Sequence, residues 1–344
     1  MNIIEQIRDS RDITLPQLQL LLTTHNEAAL HQLRASAFEV KQQVYGNKIF
    51  MRGLIEISSY CRNNCYYCGL RRDNATASRY RMTPQQIYSC CQAGYELGFR
   101  TFVLQGGEDM WFNDERMVEI VSHIHECFPD CAITLSLGER SYESYLKLYE
   151  AGAERYLLRH ETASQEHYGQ LHPQEMSFQN RLECLRNLKN IGYQVGCGFM
   201  VGSPYQTVET LFQDLQYIRM TQPQMVGIGP FIPAHDTPFA AMEAGSVEQT
   251  LRLLAIIRLL HPHVLLPATT ALATLHPKGR EMAIASGANV IMPNLSPVEH
   301  RAKYSIYDNK CATGTEAAEG VRNIRERISE IGSDAVIDRG DFRK

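Results

Sequence analysis

The chain has 344 residues, 44% of them hydrophobic and 21% charged, with ordinary Gly and Pro counts, which describes a soluble globular protein and excludes a disordered or fibrous one. A net charge of -4 and the lack of Lys/Arg-rich blocks argue against nucleic acid as a partner. No apolar run reaches the length of a membrane span, and Met1-Asn2-Ile3-Ile4-Glu5 lacks the signature of a secretory signal, so no membrane association and a cytoplasmic location are expected.

Residues 1–50 read as a helical extension, with Thr14-Leu15-Pro16 as a capped start and Leu15, Leu18, Leu20, Leu21 and Leu22 as an apolar stripe. From Met51 the pattern changes to strands alternating with helix-length segments. The expected strands are 51–58, 101–105, 132–137, 154–161, 194–201, 225–229, 264–269 and 289–293. Helix starts such as Thr83-Pro84 with Gln86, and Ser246-Val247-Glu248, fall between them. Strand and helix repeated eight times imply an α/β fold, a complete (β/α)8 TIM-type barrel over 51–297, with an open doubly wound sheet as the alternative. Residues 298–344 form a C-terminal extension, helical from about Thr315 to Ile331 and frayed from Arg339.

Chemistry concentrates where the expected strands end. Cys61, Cys65 and Cys68 stand in a C-x3-C-x2-C array on the loop leaving the first strand. Three thiolates that close suit a soft metal, whereas structural zinc wants four ligands and no second pair follows at finger spacing. A four-iron cluster held by three cysteines keeps one iron open to substrate. A zinc loop completed by a distant ligand and three free thiols remain the alternatives.

Gly106-Gly107-Glu108-Asp109 follows the second strand, where glycines admit a ligand close to backbone and the acids suit an amino group. Thr134 and Ser136 share one face of the third strand. In the fourth, alternation places Arg155, Leu157, Arg159 and Glu161 on one face, and charges there imply a polar cavity or an exposed mouth. Gly198-Phe199-Met200-Val201-Gly202 offers glycines for a flat ring, and Pro267-Ala268-Thr269-Thr270-Ala271 offers paired hydroxyls. Cys197 has an ambiguous phase. Cys90, Cys91, Cys127, Cys131 and Cys184 read as packing residues, and His123, His125, His167, His261 and His263 as solvated.

With those residues in hand, the chain resembles the radical S-adenosylmethionine (SAM) superfamily and, within it, the HydE family of FeFe hydrogenase maturases. The likeness spans roughly residues 50–310 and rests on the segments around the three cysteines, Val-Leu-Gln-Gly-Gly-Glu-Asp, Thr-Leu-Ser-Leu-Gly-Glu, Tyr-Leu-Leu-Arg-His-Glu-Thr-Ala, Met-Val-Gly-Ile-Gly-Pro-Phe-Ile-Pro, Pro-Ala-Thr-Thr-Ala and Ala-Asn-Val-Ile-Met-Pro-Asn. The resemblance implies one 4Fe-4S cluster on Cys61, Cys65 and Cys68, and SAM bound by Tyr67 at the adenine, Gly106, Gly107 and Glu108 at the methionine amino group, Glu161 at the ribose and Arg181 at the carboxylate, with Ser136 and Met200 completing that set. It further implies a 5'-deoxyadenosyl radical acting on a cysteine-bound iron dicarbonyl cyanide unit in a chamber of Thr134, Arg155, Arg159, Thr269, Thr270 and Tyr304. HydG and HydF as companion maturases, a flavodoxin or ferredoxin electron donor and a monomeric state come by the same route.

Two departures are visible. Only Cys311 stands where some family members carry a second cluster, so none is expected here, and the usual Gly-x-Ile-x-Gly-x-x-Glu motif appears as Gly198 to Tyr205 without its acid. The competing functions are a methylornithine synthase acting on lysine, a biotin-synthase-like sulfur inserter, for which Cys197 alone could face inward, and a non-catalytic iron-sulfur or zinc scaffold.

Overall fold

A computed structural model describes residues 2–310 and 317–343. Three helices come first, Ile3–Ser10, Leu15–Thr23 and Glu27–Tyr45, each opened by a side-chain cap from Asn2, Thr14 or Asn26. They seat on the helix Val247–Leu260, which is buried at every position from Thr250 to Leu260. Arg252 ties the layers together, its Nη1 donating to the carbonyls of Leu21, Leu22 and Thr24 at 3.1, 2.9 and 3.0 Å.

Six parallel strands run side by side in chain order: Gly53–Ser58, Thr101–Gly106, Ala132–Ser136, Ala153–Leu157, Gln194–Cys197 and Met225–Val226. The ring then closes through shorter pairings. Met225 bridges Leu265, Pro267 bridges Val290, and Leu54 bridges Asn294, returning to the first strand. Ala268 N donates to Val290 O at 2.8 Å and Leu54 N to Pro293 O at 2.9 Å, so the last two staves are hydrogen-bonded although the seventh is too brief to count as a strand. The result is the closed barrel expected.

Several strands end earlier than alternation suggested, the sixth at Val226 and the eighth at Ile291 among them. The fourth stops at Leu157, with Glu161 turning at φ 65° four residues on, and the fifth breaks after Cys197, where Gly198 adopts φ 150°, before a short strand at Met200–Val201. A Cβ at Gly198 would collide with the Gly227 backbone, so only glycine fits that bend. The phase of Cys197 is resolved too. Gly196 abuts Leu157 and Met225, while Cys197 is 1% exposed in the outer apolar layer, its thiol shifted upward by burial and then by the charge of Asp214 on the helix Val208–Thr221. It faces away from the barrel interior.

The nine described cysteines are all free. Cys90, Cys91, Cys131 and Cys184 are buried as expected, but Cys127 is exposed. His167, expected to be solvated, is 1% exposed with Nε2 3.0 Å from Pro204 O. Cys311 lies outside the described residues. Among those residues no helix is long and apolar enough to cross a membrane.

The largest correction concerns the end of the chain. The strand Asp334–Val336 pairs with Lys48–Met51, and the residues after it close the barrel floor rather than fraying. Arg339 O accepts from Thr101 Oγ1 at 2.7 Å and from Arg155 Nη1 and Nη2 at 3.1 Å each, and Arg155 Nη2 also reaches Asp341 at 2.5 Å. Arg52 Nη2 donates to Gly340 O at 3.3 Å. The Arg52 and Arg155 side chains are thus buried and draw acceptors from the tail, beside Met225 Sδ at 3.0 Å for Arg52 and Thr101 Oγ1 at 3.1 Å for Arg155. Deleting residues 338–344 should cost about 3–5 kcal/mol, since a buried charge stripped of its partner is strongly destabilising, and urea unfolding of the truncated chain checks it. Asp341 adds a pH signature. Burial would raise its pKa, but Arg155 and Arg339 hold it below the usual carboxylate value. A depressed folded pKa contributes stability above the unfolded value that is lost as pH falls through the folded one, so the protection of tail amides, taken relative to their intrinsic exchange rate, should fall below about pH 4.

Candidate active site

The cysteine loop is pinned by groups other than its thiols. Tyr66 N donates to Leu171 O at 3.1 Å and Gly69 N to Ile306 O at 3.0 Å, joining the loop to the fourth-strand helix and to the C-terminal extension. Arg79 reaches under it, donating to the carbonyls of Ser59 at 2.5 Å, Leu70 at 2.9 Å and Arg71 at 2.7 Å. A Cβ at Gly69 would strike Ser305 O and one at Gly107 would strike Tyr60 O, so both glycines are required by close backbone approach.

Within this frame Cys61, Cys65 and Cys68 lie near enough to perturb one another. Burial raises all three thiols, Cys68 to about 12, and the charges of Cys61 and Cys68 raise Cys65 further. A thiolate trio in that setting calls for a compensating cation, which fits an iron cluster. Among the described residues no three His, Cys, Asp or Glu side chains converge on a single-ion site. A cuboidal cluster does not need one, because each thiolate takes a different iron.

The carboxylates of the second-strand turn are already engaged. Glu108 accepts from Arg62 Nε at 3.0 Å and from Glu139 N at 2.9 Å, and its own N–H points to Cys61 Sγ at 3.4 Å. Asp109 is bound by Arg81 Nε at 2.7 Å and Ser58 Oγ at 2.7 Å. The turn's backbone is tied down as well, Gly107 N donating to Ser58 O at 3.2 Å and Gly107 O accepting from Asp109 N at 2.8 Å.

Opposite, Glu161 is 7% exposed in a left-handed conformation rare for a side chain of its size. Its N–H donates to Gly198 O at 3.0 Å. Its Oε2 lies 3.2 Å from Arg159 Nη2, but without hydrogen-bond alignment, so both atoms are buried and unsatisfied. Behind it the buried His160 takes Gly198 N at 3.3 Å on Nδ1 and meets Asp214 at 3.3 Å through Nε2. Arg181, on the helix Phe178–Ile191, binds Glu139 at 2.5 Å through Nε and Arg159 O at 2.9 Å through Nη1.

Met200 packs with Leu171, Phe231 and Phe239, and Tyr66 and Tyr67 lean on that cluster. Tyr67 Oη lies 3.1 Å from Nε2 of His172. Thr134 and Thr269 each present a buried, unpartnered hydroxyl. Ser136 pairs in register with Gln105, whose Nε2 donates to Tyr304 Oη at 3.2 Å. Thr270 begins the helix Thr270–Leu275. Arg155 is not brought to this mouth, since its guanidinium is occupied by the tail at the floor.

Several residues here escaped sequence reasoning. Glu56, 1% exposed, pairs with Lys310 and accepts from Asn294 Nδ2 at 2.8 Å, and Lys310 Nζ also donates to Tyr304 O at 3.1 Å. The alternation of 51–58 did place Glu56 on one face of the strand, and an acid amid Leu54, Ile55 and Ile57 was the available signal. His160 and His172 gave none, since Asp214 and Tyr67, the side chains they meet, are distant in sequence.

Comparison with known proteins follows the same lines. The model of the Radical SAM superfamily matches residues 55–218. The chain is 44% identical over 308 residues to the FeFe hydrogenase maturase subunit HydE of Thermotoga maritima, covering 90% of this chain and 87% of that protein. It is 30% identical over 305 residues to the 3-methylornithine synthase of Methanosarcina acetivorans, covering 87% and 85%. The crystal structure of methylornithine synthase (PylB) matches with a TM-score of 0.87 at 26% identity, covering 97% of each chain. A closed barrel, three cysteines on the loop after its first strand and these relationships together establish that the chain belongs to the radical SAM superfamily, as a HydE-type enzyme that uses a 4Fe-4S cluster and S-adenosylmethionine.

Proposed function

We propose that the enzyme acts on a cysteine-bound iron dicarbonyl cyanide unit during assembly of the two-iron cofactor of FeFe hydrogenase, directing the 5'-deoxyadenosyl radical to the substrate sulfur, where a carbon–sulfur bond forms and the remaining electron reduces the substrate's iron by one. The carrying observation is a set of buried, unsatisfied donors: Arg159 Nε, Thr134 Oγ1 and Thr269 Oγ1. Unpaired buried donors are costly, and an anionic substrate with carboxylate and cyanide acceptors would satisfy them. Thr270 and Tyr304 complete the upper wall in this reading, and Arg155 contributes positive charge from the floor.

Cys61, Cys65 and Cys68 would hold the cluster, which would supply the one-electron reduction that cleaves SAM to methionine and the adenosyl radical. The chain's own residues orient the cofactor. Tyr67 and Met200 bracket the adenine, Glu161 accepts from the ribose hydroxyls, Ser136 and the Gly106 and Gly107 carbonyls with Glu108 meet the methionine amino end, and Arg181, with Nε and Nη1 already engaged, offers Nη2 to the carboxylate. HydG-type and HydF-type maturases would stand before and after it, a flavodoxin or ferredoxin would reduce it, and a cytoplasmic monomer built as extension 1–50, barrel 51–297 and extension 298–344 would suffice.

Arg159→Met tests the chamber. The ratio of adenosylated product to methionine should fall about a hundredfold, because a charge-assisted contact to substrate is lost. An unchanged ratio would remove Arg159 and the anionic-chamber argument. The second reading is a lysine mutase, favoured by the match to PylB along the whole chain.

A further inference from the structure

Tyr67 sits between two of the three cysteines, and its hydroxyl interacts with the Cys65 thiol on one side and with a histidine on the other. It lies 3.1 Å from Nε2 of His172, a residue 2% exposed at the end of the helix Gln165–Leu171. The other ring nitrogen, Nδ1, is 3.0 Å from Tyr168 O. A carbonyl can only accept, so Nδ1 carries the hydrogen and Nε2 presents a lone pair. The phenol is therefore the donor and the imidazole the acceptor.

The imidazole is held on every side. It stacks on Tyr168 with centroids 4.0 Å apart and meets Tyr67 edge-on at 5.4 Å. Burial, with Arg181 nearby, pushes its pKa down to about 3, so it stays a neutral acceptor. The neighbouring Tyr66 N to Leu171 O bond, 3.1 Å, fixes the two backbones in the same register. His172 thus offers the Tyr67 hydroxyl a fixed, buried acceptor before any ligand arrives, although Tyr67 itself is only half-buried.

We propose that His172 is a positioning residue for the cofactor: by accepting the Tyr67 hydroxyl hydrogen it presets the plane of the ring that the adenine of S-adenosylmethionine meets. This rests on the placement of Tyr67 at the adenine made above. Pre-organisation of that kind appears in affinity, since the ordering cost is met by the fold rather than by the ligand.

The test is equilibrium binding of SAM to the oxidised, cluster-loaded protein without reductant, for H172L, H172Q, Y67F, Y67A and the H172L/Y67F pair. His172→Leu and Tyr67→Phe should each weaken binding about five- to tenfold, and the double variant no more than either alone, because both remove one hydrogen bond. His172→Gln, which can still accept through its amide oxygen, should recover most of the loss. Nitrogen-15 correlation spectra of the metal-free chain should show His172 as the Nδ1–H tautomer, a readout independent of cluster loading. Unchanged binding in H172L beside weakened binding in Y67A, or an Nε2–H tautomer, overturns the proposal while leaving Tyr67 at the adenine. Unchanged binding in Y67A overturns both.

Discussion

Cys65→Ser is expected to abolish reductive cleavage of SAM altogether and to bring bound iron and sulfide close to zero. The argument is one of supply. A cluster held by three thiolates has no spare ligand, and the loop offers only Cys61, Cys65 and Cys68. Among the other described cysteines, Cys90, Cys91, Cys131, Cys184 and Cys197 are buried in the packing layers and Cys127 is exposed on the helix Asp114–Cys127, so none can swing in. The fold should survive, because Arg79 and the Tyr66 and Gly69 backbone bonds hold the loop without the thiols. Circular dichroism unchanged beside lost iron is the predicted pair of results; a serine variant that still loads four irons and yields methionine would contradict the ligand assignment.

Glu161→Gly should separate stability from function. The wild-type residue pays for a left-handed backbone at φ 65° that glycine adopts freely, so the variant should gain about 1 kcal/mol in urea unfolding. It should also lose SAM affinity by about one to two orders of magnitude, since the unsatisfied Oε2 is the acceptor assigned to the ribose hydroxyls. Glu161→Gln should fall between, keeping the strain and a weaker acceptor. A glycine variant that binds SAM as well as wild type would detach Glu161 from the cofactor.

How far the sequence reached depends on the range of the interaction. The three cysteines, the Gly106-Gly107 turn and the strand rhythm are local patterns, and a repeat of strand and helix leaves few topologies other than a closed ring. Strand ends differ from expectation where a local bend decides the outcome, as at Gly198, because alternation continues on paper past the point where the backbone turns. The tail was misjudged for a different reason. Arg339 to Arg343 is polar and short, the signature of a solvated end, and its partners Arg52 and Arg155 lie far back in the chain. Arg155 and Arg159 share a face by period with Arg159 nearer the catalytic end, and what period could not show is that the tail takes up the Arg155 guanidinium at the floor. The Glu56 to Lys310 pair and the His172 to Tyr67 bond are likewise contacts that only the closed barrel brings together.

The most direct test of the account is mass spectrometry of products from anaerobically reconstituted enzyme, reductant and SAM, supplied either with the cysteine-bound iron dicarbonyl cyanide complex or with lysine. The account predicts an adenosyl group on the cysteine sulfur in the first reaction and unaltered lysine in the second. Methylornithine from lysine, with no adenosylated cysteine, would contradict it.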